Sequence, residues 1–321
     1  MNCNDSDSTP FVPAGLVEAI EYFSDPDACF ETMVALRWPN GVECPHCTRE
    51  GVVCKDVHFI ESRKIWRCKG CKKQFSVKVG SVMEDSPLSL KIWLSAIWLI
   101  ANTKNGTSSC ELARHLKIRQ ATAWFVFHRI REAMSTGTFE KMSGTVEADE
   151  TFIGGKAKNM QGERKASGRG TSGKAVVMGL LERPSEKPSK VRVKHVKDTT
   201  RATLHKEIAA NVEHGSEVFT DALPSYENMD SRYIHQAVDH ATTYVVGAVH
   251  TNGLENFWCL LKRTICGTYV SVNAPHLFRY LDEQAFRFNE RKDNDAGRFM
   301  KVAGSLAGKR LTYKELTGKN D

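Results

Sequence analysis

SGTVEADETFIGG, residues 143–155, alternates small or apolar side chains with polar ones at the period of a β-strand and carries three acids within four positions. A period of two sets Glu147 and Asp149 on one face of that strand and Glu150 on the other. Downstream, GKAVVMGLLER (173–183) reads as a second strand with a buried run, and SKVRVKHVKD (189–198) as a third that alternates cleanly. Thr200 to Val212 then follows helical spacing, Glu217 to Thr220 forms a strand ending at Asp221, and Arg232 to Val238 forms another. Helices are expected from Asn252 to about Thr264 and from Pro275 to Glu290. Three strands in a meander followed by alternating helix and strand predict an α/β domain over 143–295, a mixed sheet with flanking helices. This is the order of the ribonuclease H-like fold.

Working toward the N-terminus, the cysteines carry the next signal. Cys44 and Cys47 form one C-x2-C, and Cys68 and Cys71 a second, with 20 residues between the pairs. Each turn aims two thiolates at one point, and two turns complete a tetrahedral shell for Zn2+. All four positions are filled by protein, so the metal is expected to be structural. The segment between the knuckles alternates as a hairpin, with Lys72 to Phe75 continuing its second arm, which makes residues 40–80 a zinc ribbon. Its basic edge, Arg63, Lys64, Arg67, Lys72 and Lys73 with Trp66 among them, suits phosphate contacts. The alternative is a ribbon that only holds its neighbours together. Cys3, Cys29, Cys54, Cys110, Cys259 and Cys266 show no ligand spacing.

Between these regions, residues 86–135 change period. Leu90, Trp93, Leu94, Ile97 and Trp98 recur at three and four, Ser108 or Ser109 can cap a short helix to Leu116, and Gln120 to Met134 forms a third. Short helix, tight turn and longer basic helix is the helix-turn-helix arrangement, with His128, Arg129 and Arg131 expected on the exposed face. Any three-helix bundle could carry the same pattern. Residues 1–39 read as a helical lead-in and 296–321 as a basic helical or frayed tail.

With 321 residues, 41% of them hydrophobic, the chain can bury substantial cores and is not disordered. The net charge of +7 matters where it is concentrated: 61–78 holds seven Lys or Arg against one Glu, and 154–174 six against one. Both read as contacts to a polyanion. The longest nearly apolar run, Ile92 to Ala101, is about half a bilayer span, and the first ten residues lack the basic start of a secretory signal. A cytoplasmic, DNA-associated location with reduced thiols is expected, and no membrane partner.

Phosphodiester chemistry commonly uses two divalent cations about 4 Å apart, and carboxylates from separate elements hold them. Asp149 lies on the first strand of the domain, Asp221 closes the fourth, and Glu255 sits in the first turn of a late helix with Lys262 two turns along the same face. Each has a plainer reading: Asn252-x-x-Glu255 fits a capping box, Asp221 could cap the turn at Leu223 and Pro224, and Asp149 could be a surface acid on an edge strand.

At this point the chain resembles a known family. RWPNGVECPHC, CKGC, VEADETFIGGK, VFTDALPSY, HTNGLENFWCLLKRTICGTY and HLFRYLDEQAFRFNER together resemble the zinc-ribbon insertion-sequence transposases of the DDE type, the ISXO-like group, from about Asp25 to Arg291. The resemblance implies a ribonuclease H-like core, Mg2+ or Mn2+ dependence, and recognition of terminal inverted repeats in double-stranded DNA by a dimer or larger synaptic assembly. It implies Asp149, Asp221 and Glu255 as the catalytic, cation-holding acids and Lys262 as the basic partner. Asn252 is the competing third ligand, since some members use an Asn there. Lys156, Lys158, Arg164 and Lys165 resemble the family's basic insertion. The alternatives are a non-catalytic DNA-binding regulator built on the ribbon and helix-turn-helix, and a ribonuclease H-like nuclease or resolvase indifferent to end sequence.

Overall fold

Asp25 and Pro26 start the longer of two helices that precede the cysteine knuckles: α1 spans Leu16–Tyr22 and α2 Pro26–Arg37, where Asp25 Oδ1 accepts the Asp27 N–H at 2.8 Å. The computed structural model describes residues 12–135, 140–155, 173–185, 188–238 and 249–318. They divide into two units, one within Met1–Met134 and Asp293–Asp321, the other within Ser135–Lys292.

In the first unit a single helical turn, α3 (Pro45–Arg49), lies in the first knuckle, followed by β1 (Val57–Ile60), β2 (Ile65–Cys68) and β3 (Gln74–Phe75) in one antiparallel sheet of that order. The expectation that Lys72 to Phe75 prolong the second arm is corrected here. The chain must reverse to bring Cys71 back toward Cys68; Lys72 takes a left-handed φ of 61°, and Gln74 and Phe75 return as a third strand beside Arg67 and Trp66. Alternation on β2 turns Arg67 outward and Trp66 inward, against Phe30 of α2 at 5.5 Å and Phe75 at 5.8 Å between ring centres. Trp66 is therefore core to the ribbon and not part of a basic edge, and it ties the ribbon to α2.

Three helices follow: α4 (Leu90–Asn102), α5 (Ser109–Leu116) and α6 (Gln120–Met134). Ser108 Oγ caps α5 through the Glu111 N–H at 3.1 Å, and Lys117 turns the chain with a φ of 52°. Helix α4 buries Trp93, Leu94, Ala96, Ile97, Trp98, Ile100 and Ala101, more than one stripe, because helices pack on several of its sides.

The second unit carries β4 (Thr145–Ile153), β5 (Ala175–Glu182), β6 (Lys190–Val196), α7 (Arg201–Asn211), β7 (Glu217–Asp221), β8 (Ile234–Val238), α8 (Asn252–Thr264) and α9 (Leu277–Asn289). The five strands order β6-β5-β4-β7-β8, the first three antiparallel and β4, β7 and β8 mutually parallel. The result is an α/β unit with a mixed five-stranded sheet, as the residue pattern predicts. Helix α7 closes one face over Val146, Ala148, Met178, Leu180 and Val218, while α8 and α9 close the other over Val177, Leu181 and Val191. β4 lies at the centre of the sheet, which removes the edge-strand reading of Asp149.

The chain then returns to the first unit with α10 (Asp295–Gly304) and α11 (Tyr313–Thr317). Phe299 is fully buried, 5.4 Å from Phe23 and 5.5 Å from Trp98 between ring centres, so this end of the chain completes the first core. That packing also corrects the reading of α6. His128, Arg129 and Arg131, expected on an exposed face, are 0%, 6% and 1% exposed. The Arg129 guanidinium donates to the carbonyls of Leu311 at 3.1 Å and Glu84 at 2.9 Å and stacks on Phe125. Among the described residues, no helix is long and apolar enough to cross a membrane.

Candidate active site

Helix α8 runs along β4 and is keyed to it twice. Glu147, 1% exposed, accepts the Leu254 N–H at 3.0 Å, capping the helix from outside the segment, and its other oxygen accepts Arg183 Nε at 2.8 Å. One turn further along α8, Trp258 Nε1 donates to Asp149 Oδ2 at 2.8 Å. The spacings match for a geometric reason: two strand residues advance about 6.7 Å and four helix residues about 6 Å. Leu254 and Trp258 therefore meet Glu147 and Asp149 in register, and Glu255 stands between them in the first turn, half-buried.

The strands bring in the other acids. Thr145 to Glu147 pair with Glu217 to Phe219 in parallel, so the same offset carried two residues on sets Asp149 level with Asp221 at the carboxyl end of the sheet, where open α/β sheets form their crevices. Asp221 Oδ1 accepts the Leu223 N–H at 3.1 Å, which agrees with the turn-capping reading and leaves its second oxygen outside that bond. Burial pushes Asp149 up to about 6, and the negative charges of Asp221 and Glu255 push in the same direction against the Trp258 and Glu150 N–H donors. Burial likewise holds Glu150 up at about 7, with Asp221 and Asp149 adding, while Tyr226 Oη donates to it at 2.9 Å from the other face of the sheet. An accumulation of half-buried carboxylates with mutually unfavourable charge suits hard divalent cations. The acids are spread rather than gathered at one point: among the described residues, only the four knuckle cysteines bring three or more ligand atoms within 4.8 Å of one another. Asn252 is exposed at the start of α8 and Lys262 is exposed two turns beyond Glu255.

The cysteine cluster fits zinc. A tetrahedral ion about 2.3 Å from each thiolate needs sulfurs about 3.8 Å apart. Cys44 and Cys71 Sγ are 3.7 Å apart, and Cys47 and Cys68 Sγ 3.8 Å. Cys54, which has no ligand spacing in the sequence, adds a fifth sulfur 3.5 Å from that of Cys68.

Residues 141–289 match the ISXO2-like transposase domain and residues 24–74 the transposase zinc-ribbon domain. A transposase-like protein of Haemophilus influenzae is 32% identical over 114 residues, covering 35% of this chain and 92% of that protein. The chain belongs to the ISXO2-like transposases. A protein in transposable element ISH50 of Halobacterium salinarum is 25% identical over 261 residues, 78% of this chain and 86% of its own length. This transposase thus joins a structural zinc ribbon to a DDE-family domain.

The residues expected to meet DNA fare differently. Arg63, Arg67, Lys72 and Lys73 are exposed on the ribbon, Lys73 with Glu50 3.9 Å away, and Lys64 pairs with Asp27 and lies over the Phe30 ring. Arg129 and Arg131 are interior. Lys156, Lys158, Arg164 and Lys165 lie outside the described residues. On the helices, exposure falls instead at Arg114, Lys117, Arg119 and Gln120, around the turn and the start of α6. Trp258, Glu147 and Tyr226 also contribute to the acidic site; the sequence signals for the first two are a Trp three residues from Glu255 and an acid two residues from Asp149 on the same strand face, and Tyr226 carries none.

Proposed function

We propose that this transposase binds the terminal inverted repeats of its element and carries out divalent-cation-dependent DNA cleavage and strand transfer on a ribonuclease H-like core. What supports this most is the coupling of Asp149, Asp221 and Glu255, from two parallel strands and a helix start, within a domain of the ISXO2-like family. The strand order, three antiparallel strands and then two parallel ones on the far side of the first, supports the fold reading. The three acids would hold Mg2+ or Mn2+, which when bound supplies the positive charge that stabilises attacking and leaving oxygens in phosphoryl transfer.

The chain's own part is to fix those carboxylates before DNA arrives. Glu147 holds the start of α8, Trp258 and the Glu150 N–H hold the two oxygens of Asp149, and Lys262 is offered to a phosphate. Attack by water on the strand at the element end leaves a 3′-hydroxyl, and that hydroxyl then attacks a phosphodiester of the target, releasing its 3′-oxygen. The exposed ribbon cations and the residues around the α5–α6 turn carry end recognition, because a helix-turn-helix reads bases with the N-terminal part of its second helix. Two ends must be joined, so a dimer or larger synaptic complex is the working form.

The test is incubation of purified protein with Mg2+ and a labelled end-containing duplex, read for nicks and joined products, with scrambled ends as control. Asp149→Ala, Asp221→Ala and Glu255→Ala should abolish cleavage with DNA binding within severalfold. Equal cutting of scrambled ends would make the protein a nuclease. Retained cleavage in Glu255→Ala with loss in Asn252→Ala would move the third role to Asn252.

A further inference from the structure

We propose that Trp258, admitted by Gly179, is a positioning residue that fixes the rotation of the Asp149 carboxylate and thereby sets the affinity of the acidic site for its cation. The inference rests on the reading that Asp149 holds a divalent cation. Both Asp149 oxygens are engaged, Oδ2 by Trp258 Nε1 at 2.8 Å and Oδ1 by the Glu150 N–H at 2.8 Å. Two donors on opposite oxygens oppose rotation of the group, and each oxygen keeps a lone pair for an ion. An indole N–H is a donor only and stays neutral, so it orients the carboxylate without competing for the cation or repelling it. Trp258 lies three residues from Glu255, so one helix face carries both the third acid and the group that orients the first.

The sheet is cut away to allow this. Gly179 is the β5 partner of Asp149, in the middle of an otherwise large-residue strand, VVMGLLE. A Cβ there would come within 2.6 Å of Trp258 Cη2 and Cζ2 and 2.9 Å of Leu254 Cδ2. Glycine inside a strand weakens it and marks close approach by another group, and here that group is the indole on its way to Asp149. Gly253 repeats the arrangement at the other key, where a Cβ would stand 2.8 Å from Glu147 Oε2.

The experiment is calorimetric titration of the zinc-loaded full chain with Mn2+, comparing the unmutated protein with Trp258→Phe, Gly179→Ala, Asp149→Asn and Phe257→Leu, each checked for folding by circular dichroism. Trp258→Phe keeps an aromatic ring but removes the donor together with part of the indole's volume; Gly179→Ala keeps the donor and displaces the ring. Both should weaken Mn2+ binding about ten- to a hundredfold, the usual consequence of removing a group that orients a metal ligand. Phe257→Leu, at an equally buried neighbour 5.3 Å away that makes no bond to a carboxylate, should lower the melting temperature and leave Mn2+ affinity within twofold. If Asp149→Asn weakens binding while Trp258→Phe and Gly179→Ala do not, Trp258 is only packing and the inference falls alone. If Asp149→Asn binds Mn2+ as the unmutated protein does, the cation reading of Asp149 falls and takes the inference with it.

Discussion

Replacing Asp149 by Asn removes a charge that the fold itself opposes, so it should stabilise the protein when no cation is supplied. Asp149 titrates at about 6 against an ordinary 3.8, mainly because it is buried. At about 1.4 kcal/mol per pKa unit, ionising it in the folded state costs on the order of 3 kcal/mol. Asparagine keeps one good acceptor where the carboxylate offers two, so one of the bonds from Trp258 and the Glu150 N–H weakens, at about 1 kcal/mol. The net gain is on the order of 1–2 kcal/mol, or roughly 2–8 °C in melting temperature for a unit of this size.

The sign with pH follows from the raised pKa. Below 3.8 the acid is protonated folded and unfolded, and the substitution gains nothing. Between 3.8 and about 6 the unfolded chain releases its proton before the folded one does, so stability of the unmutated protein falls as pH rises; above about 6 the full cost is present. Melting curves should be recorded at intervals from about pH 4.5 to 7.5 in buffers stripped of divalent ions other than the bound zinc. Asp149→Asn should equal or trail the unmutated protein at the acid end and exceed it at the neutral end. Adding Mg2+ at neutral pH should raise the melting temperature of the unmutated chain and leave Asp149→Asn nearly unchanged. A melting difference that is flat with pH, or an Asn variant less stable at neutral pH, would refute the electrostatic reasoning.

Changing Cys44 or Cys68 to Ser should bring zinc below one per chain by mass spectrometry and unfold the ribbon, since thiolate binding of structural zinc is worth on the order of 10 kcal/mol. Glu147→Ala takes the carboxylate partner from Arg183, which keeps its bond to the His250 carbonyl, and uncaps α8; it should cost about 3 kcal/mol in urea unfolding, with cleavage reduced further than DNA binding. Phe299→Ala opens a cavity between Phe23 and Trp98 and should destabilise the first unit by about 3–5 kcal/mol while leaving the unfolding of the second unchanged. Arg67→Ala and Lys72→Ala should each lower the slope of log K against log salt for end binding by about one, whereas Lys64→Ala should change it little.

The amino-acid sequence by itself determined the elements and the zinc ligands. Period two in β4 and β6, period near four in α4 and α8, and a doubled C-x2-C are local patterns, set by side chains within a few positions, and each is met by the structure within a residue or two. It also named Asp149, Asp221 and Glu255, because their places at a strand middle, a strand end and a helix start can be read without knowing what they face. What those side chains face was decided by tertiary structure. The interior position of Arg129 depends on Leu311, some 180 positions away in the chain, and amphipathic spacing in α6 carries no record of a second surface closing over it. The central place of β4, the capping of α8 by Glu147 and the indole over Gly179 likewise arise from pairings of distant segments. Periodicity reports which side of an element is apolar; only the packed chain determines which buried polar groups find partners, and the orientation of the acids follows from those partners.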